Sequence, residues 1–403
     1  MSRKIIQLLT LFAALCIGVA YAQVARVYVQ SASSAPIYVY NASSTGKLTP
    51  ISGSPFKAIS GLFIGTNGTH VITLGTDYVH SYKVSSTGAI GAQVSQINTQ
   101  LYTEDCGPTN GAVLDHSGAY VYVSLNTPPY DTGDCSAFQT FQISSTGVLS
   151  FKGSYTFPNG VNSSLPVVAG NDKFALSLAG TWHGGLQYTA SFARESTGLL
   201  EIGASTEKDP LPPAGWNLYQ AVAMTEDPTD HYAVALLQDT VYTNGTFGAT
   251  QIGSYTGSAA GLSSTNTYEN MPTILPATSP DCSCGSDGIT GMRMSPSGKL
   301  LAVATYWVGP SDDGEYGSGV VLYHFNGAAP PTNFTNTDNS LSGEAILAWD
   351  TSNHLYVLNA PDGGFQLPNW ELHVYAVTTK VVEVPGSPYT IPGLGGTIVV
   401  RSL

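Results

Sequence analysis

The sequence is short of charge: Asp, Glu, Lys and Arg together make up 10% of its 403 residues, against about 25% in an average soluble domain. Solvent-facing helices need those residues, so helical and doubly wound α/β folds are excluded. Basic residues are scarcest. Arg3 and Lys4 lie in the N-terminal segment, and the remainder holds 12 Lys and Arg against 27 Asp and Glu, a net charge of −15. No stretch clusters cations, which removes nucleic acid and anionic membrane surfaces as partners. After residue 22 there is no apolar run long enough to span a bilayer, so no transmembrane segment is expected in the mature chain. Gly-x-Ser-x-Gly, His-Glu-x-x-His and a phosphate-binding glycine loop are also missing, and with them the serine-hydrolase elbow, the zincin site and a nucleotide cofactor. No cofactor is expected.

Residues 1–22 read as a secretory signal peptide: Arg3 and Lys4 as the charged start, Leu8 to Ala20 as the apolar core, and Ala20-Tyr21-Ala22 as the cleavage site. The mature chain, 23–403, is then secreted or periplasmic. With Cys16 removed, Cys106, Cys135, Cys282 and Cys284 remain. An even count in an exported chain predicts disulfides, and the blade topology derived below favours Cys106 with Cys135. A metal site at Cys282 and Cys284 is the weaker reading, because no further ligand follows at zinc-like spacing.

What the chain has in abundance is Gly (44), Pro (24) and Tyr (23), a composition for many short strands and turns. Two signals repeat along it. The first is a short strand running into a Ser-Thr-Gly turn, at Ser44-Thr45-Gly46, Ser86-Thr87-Gly88, Ser145-Thr146-Gly147 and Ser196-Thr197-Gly198, with weaker versions at Thr243-Asn244-Gly245, Asn326-Gly327 and Thr378-Thr379-Lys380. The second is a turn followed by an alternating strand, as in Asp115-His116-Ser117-Gly118 before Tyr120-Val121-Tyr122-Val123 and Ser295-Pro296-Ser297-Gly298 before Leu300-Leu301-Ala302-Val303. Both signals count seven units of four strands. A four-stranded sheet cannot cover both its faces, whereas seven packed radially cover each other. The predicted fold is therefore all-β, a single seven-bladed β-propeller of four-stranded antiparallel blades. The unpaired segment Gly396-Thr397-Ile398-Val399-Val400 should close the ring by pairing with Arg26–Val29.

The phrase Gly46-Lys47-Leu48-Thr49-Pro50-Ile51-Ser52-Gly53-Ser54-Pro55-Phe56, its echo Pro385-Gly386-Ser387-Pro388-Tyr389, and Ser295-Pro296-Ser297-Gly298-Lys299 resemble the bacterial lactonase-type and YVTN-type seven-bladed propellers (6-phosphogluconolactonase-like fold) over residues 24–403. That resemblance implies a propeller whose known relatives include sugar-lactone hydrolases, a muconate-lactonising enzyme and exported proteins of unassigned role. It also implies His, Arg and Glu in the central funnel. The inner strands, read as Ile59–Ile64, Thr109–Leu114, Leu165–Ala169, Leu218–Met224, Ile289–Met294, Glu344–Ala348 and Thr397–Arg401, offer Arg293, Glu344 and Arg401. Arg293 and Glu344 fall on consecutive blades and form either a catalytic pair or a structural ion pair. His183, in a loop, is the nearest histidine.

Loops after second strands and between blades share one face, the expected functional face. Trp182, Trp307 and Trp370 are expected in the former and Trp216 in the latter, as stacking platforms for a sugar ring or as packing under loops. Acidic loops at Glu104-Asp105, Asp131, Asp134, Asp287, Asp312-Asp313-Gly314-Glu315 and Asp362 share that face. Solvated turns explain them better than a structural calcium, since none has the spacing of a calcium loop. Residues 253–287 are expected to form a long loop insertion pinned by Cys282 and Cys284. Two functions follow. One is a binding module for carbohydrate, peptide or an envelope protein through the tryptophan face; the other is a periplasmic hydrolase of small lactones using Arg293, Glu344 and His183.

Overall fold

The second strand of each unit alternates side chains between two faces, and both faces are buried. Tyr120 and Tyr122 pack toward the following unit, whereas Val121 and Val123 pack toward the preceding one. Tyr232 and Val234 likewise point one way and Ala233 and Ala235 the other. A strand sandwiched in this manner requires a neighbour on each side, and the computed structural model supplies one. It describes residues 22–31, 35–57, 59–100, 106, 109–126, 135–158, 161–181, 188–206, 219–238, 250–267, 269–274, 288–308, 316–334, 345–359, 369–393 and 396–403. Seven antiparallel sheets stand in a ring, and seven apolar clusters fill the seven interfaces between them. The described residues hold no helix long and apolar enough to cross a membrane.

Blade 1 is built from both ends of the chain. Thr397–Ser402 is its inner strand, followed outward by Gln23–Gln30, Ile37–Ser43 and Leu48–Pro50. The closing ladder runs from Ala25 opposite Ser402 to Gln30 opposite Thr397, as the sequence predicts. Blades 2 to 7 begin with inner strands Leu62–Thr66, Thr109–Leu114, the split pair Val161–Ser163 and Val167–Val168, Tyr219–Glu226, Gly288–Met294 and Ala345–Trp349. The repeated Gly-Ser-Pro-aromatic phrase has one role in both copies. The Ser54 hydroxyl accepts the Val39 N–H and the Ser387 hydroxyl accepts the Val374 N–H, each at 2.9 Å, so the phrase seals the edge of its own blade.

The two sequence signals turn out to be halves of one contact. In blades 1, 3 and 4 the Ser-Thr-Gly turn lies against the residue that opens the second strand of the blade before it, Gly46 on His354, Gly147 on His70 and Gly198 on Tyr120, whereas Gly88 of blade 2 lies on Arg26, inside its strand. Only a residue without a side chain fits at Gly198. Its φ is +83°, and a Cβ there would fall on the Tyr120 ring. Gly198→Ala should therefore lower stability by roughly 1–3 kcal/mol. Gly53→Ala, at a similar φ of +86° but with no neighbour nearer than 3.6 Å, should cost only the backbone term. Equal melting points for the two variants would show that the turn does not brace the interface.

Blade 5 departs from the sequence reading. Its third strand is Thr250–Ser258 and its outer strand Gly261–Ser263, so the turn lies at Ala259-Ala260, and the first part of the expected 253–287 insertion is blade. This turn lacks the Ser-Thr-Gly wording and so does not show as a repeat, and the turn expected at Thr243-Asn244-Gly245 lies outside the described residues. The chain after Ser263 runs back along the third strand, where Ile252 N–H donates to Pro272 O and Ile274 N–H to Thr250 O. Cys106 and Cys135 are joined, with Cα atoms 5.0 Å apart, tying the entry of blade 3 to its third strand as expected. Cys282 and Cys284 lie outside the described residues.

Candidate functional site

Four inner strands each carry one extra residue. The pairing steps from Phe63 to Gly65, Thr109 to Gly111, Ala221 to Ala223 and Ile289 to Gly291, leaving Ile64, Asn110, Val222 and Thr290 bulged. A bulge bends its strand and re-aims a side chain. Here Ile64 and Val222 line a cavity of about 640 Å³ on the ring axis, enclosed by the inner strands of blades 2 to 6. The residue after each bulge is Gly or Ala, and in blades 2 and 3 the next blade leans over it. A Cβ on Gly65 would collide with the Leu114 side chain, and one on Gly111 would stand 3.0 Å from Leu165.

The charged groups gather where the inner strands end. His116 follows the inner strand of blade 3 in the Asp115-His116-Ser117-Gly118 turn, Asp172 occupies the equivalent turn of blade 4, and Glu226 closes the inner strand of blade 5. Asp172 is in the left-handed region, φ 57°, which Asp tolerates better than most residues. It accepts the N–H groups of His116 and Ser117, each at 3.0 Å. The imidazole is thereby held between two carboxylates, Nδ1 at 3.2 Å from Asp172 and Nε2 at 3.4 Å from Glu226. Its pKa is raised to about 9, first by the hydrogen bond to Glu226 and then by the charges of Glu226 and Asp172, against the opposing effect of desolvation. His116 is thus a cation at neutral pH. Beside it, Arg194 binds Asp115 at 2.7 Å and its guanidinium lies 4.8 Å above the Tyr120 ring, which fixes the His116 turn from below.

Arg293, on the inner strand of blade 6, lines the same cavity. Its side chain is exposed to the cavity yet deep inside the ring. Desolvation there lowers its pKa, and the carboxylate of Glu226 acts in the opposite sense. Arginine nevertheless stays charged. Its Nη1 donates to Met292 O at 3.0 Å, and its own carbonyl accepts the Trp349 indole N–H at 3.1 Å. The site thus brings a cationic imidazole against one carboxylate, with a guanidinium within that carboxylate's electrostatic reach, in a chamber whose other lining side chains are mostly apolar.

Of the residues singled out in the sequence, Arg293 is in the site. Glu344 and His183 lie outside the described residues; among those described, the carboxylate acting on Arg293 is Glu226 of the preceding blade. Glu226 escaped notice because its strand runs two residues past the expected end at Met224. The usable signal was the small residue four places before the turn: Gly111 before Asp115, Ala223 before Asp227, Gly291 before Ser295. Arg401 does not reach this cluster. Its Nη1 donates to Gly68 O at 3.2 Å and pins blade 2. The charged end is also the face of the first-strand turns, not the expected functional face.

Trp370 lies within the third strand of blade 7, Asn369–Val377, instead of in the loop before it, and is 3% exposed in the interface with blade 1. It packs, and offers no surface for stacking. Trp307 belongs to the strand Leu300–Val308; Trp182, Trp216 and the acidic loops lie outside the described residues. Among the described residues no group of three or more His, Cys, Asp or Glu could hold a metal ion.

No protein-family model and no curated protein matches the sequence. Solved structures do. A protein from Lactobacillus plantarum is similar with a TM-score of 0.59 at 12% identity, covering 94% of this chain and 99% of that one. A candidate 6-phosphogluconolactonase from Bacteroides uniformis is similar with a TM-score of 0.58 at 12% identity, over 95% of this chain and all of its own. A functionally unknown protein from Desulfotomaculum acetoxidans gives 0.53 at 13% identity, over 93% and 98%. The chain shares the seven-bladed propeller fold of these structures. At such identities the likeness concerns the arrangement of blades, so the chemistry of this propeller has to be argued from its own cavity.

Proposed function

We propose that this propeller hydrolyses small ring esters at the charged end of its central cavity. The observation that carries the reading is the His116 imidazolium held against Glu226 in a chamber that also contains Arg293. In the proposed reaction Glu226 takes a proton from water as its oxygen attacks the ring carbonyl, and Arg293 and His116 stabilise the oxyanion. As the ring C–O bond breaks, His116 gives its proton to the departing alkoxide. The proton on Glu226 then crosses to His116, which restores the site and leaves a hydroxy acid. An uncharged lactone suits it better than a phosphorylated one, because two cations already face two carboxylates. The leader-like residues 1–22 make export part of the proposal.

The test is pH-stat titration of the mature chain against a lactone panel. Turnover is expected near neutral pH and should fall as pH rises through about 9, where His116 loses its proton. Binding of lactones without turnover would move the chain to the binding modules, the alternative raised by the loop-face tryptophans. No binding and no turnover would remove the reading.

A further inference from the structure

The cavity has a second property that hydrolysis alone does not need. Leu165 and Val222 line it and are 37% and 38% exposed, large apolar side chains facing an internal space. Ile64 and Leu114 join them. Two of these four, Ile64 and Val222, are bulged residues of their strands. The polar side chains along this wall are already used. Ser164 Oγ donates to Leu165 O at 3.1 Å and accepts the Leu178 N–H at 3.0 Å, and Thr225 Oγ1 accepts the Met294 N–H at 3.4 Å. Among the described lining side chains, His116, Glu226 and Arg293 carry the charges that would meet the ester end.

A sugar lactone carries a hydroxyl on nearly every carbon, and each one desolvated against such a wall without a partner costs binding. An alkyl arm gains on burial instead. Val222 and Glu226 are four residues apart on one strand, roughly 13 Å at the usual rise, which separates an apolar compartment from the charged one. Building on the hydrolase reading, we propose that the substrate class is ring esters bearing an unsubstituted hydrocarbon arm, with the ester at His116, Glu226 and Arg293 and the arm along Ile64, Leu114, Leu165 and Val222.

The experiment compares two six-membered lactones, δ-decalactone and glucono-δ-lactone, on the mature protein. It also measures calorimetric binding of their ring-opened acids, 5-hydroxydecanoate and gluconate. kcat/KM should favour the alkyl lactone by at least about 100-fold, and 5-hydroxydecanoate should bind more tightly than gluconate. Val222→Thr, nearly the same shape with one hydroxyl, should cut the preference by roughly tenfold, since it removes apolar surface from the arm's compartment. Faster turnover of the gluconolactone would overturn the substrate class and leave the hydrolase standing. Tight 5-hydroxydecanoate binding without turnover of either lactone would uphold the apolar compartment and overturn the hydrolase. Equal binding of the two acids, or a Val222→Thr preference like that of the parent, would overturn the inference.

Discussion

Glu226→Gln is expected to reduce ring-ester turnover by about 10²–10⁴-fold, the range for loss of a positioned proton acceptor, with the propeller still folded. The amide keeps the shape of the carboxylate, so the strand Tyr219–Glu226 and its pairing with His231–Gln238 are unaffected. What changes is protonation. The hydrogen bond to Glu226 is the largest cause of the raised pKa of His116, so in the variant the imidazole should titrate well below about 9, and both the base and the acid are lost together. The sign can be checked independently of activity. A histidine whose pKa is higher folded than unfolded stabilises the fold fully below its ordinary value near 6.5, and that contribution disappears as pH rises through about 9. The parent should therefore lose thermal stability across that interval more than Glu226→Gln does. Resonances of the His116 ring followed by NMR give the pKa directly. Turnover within twofold of the parent, or a His116 titration still near 9, would remove Glu226 from its assigned role.

Deleting residues 396–403 should cost roughly 5 kcal/mol or more, beyond the range of ordinary single lesions and a large share of the 5–15 kcal/mol that holds a typical domain together. The segment is the whole inner strand of blade 1. Its ladder covers Ala25 to Gln30, Ile398 is buried in the interface with blade 7, and Arg401 reaches Gly68 of blade 2. Ser402 Oγ accepts the N–H of Thr351, and Leu403 N–H donates to Val24 O. Removal exposes the inner edge of Gln23–Gln30 and opens a ring whose every interface depends on both neighbours. Thermal unfolding followed by circular dichroism should show a large drop in midpoint, partly recovered on adding the missing segment as a peptide. A midpoint equal to that of the intact chain would mean that the ring does not depend on its closure.

The fold was legible because its determinants are local and repeated. The Ser-Thr-Gly turns specify where a strand reverses, the alternating second strands specify burial on both faces, and the surplus Thr397–Val400 has no partner except the first strand. Blade 5 shows the limit of such reading. A turn written Ser258-Ala259-Ala260-Gly261 performs the same reversal with different residues, and periodicity passes over it. The candidate site was less legible for a different reason. Arg293 was found as a charge on an inner strand, but its carboxylate neighbour Glu226 sits at a strand end whose position depends on pairing. His116 looks like any turn residue until Asp172 and Glu226 are brought against it from two other blades.

What the amino-acid order determined by itself is the number of blades and the closing strand, since both follow from spacing along the chain; the Cys106–Cys135 link, one of three pairings open to four cysteines, was decided by the tertiary structure. The chamber, too, only the tertiary structure decided. Bulges at Ile64 and Val222 are settled by register against neighbouring strands, and the charge state of His116 arises from carboxylates more than fifty residues away in sequence. Local pattern fixes which strands form; the sum of pairings between blades fixes which side chains meet at the axis.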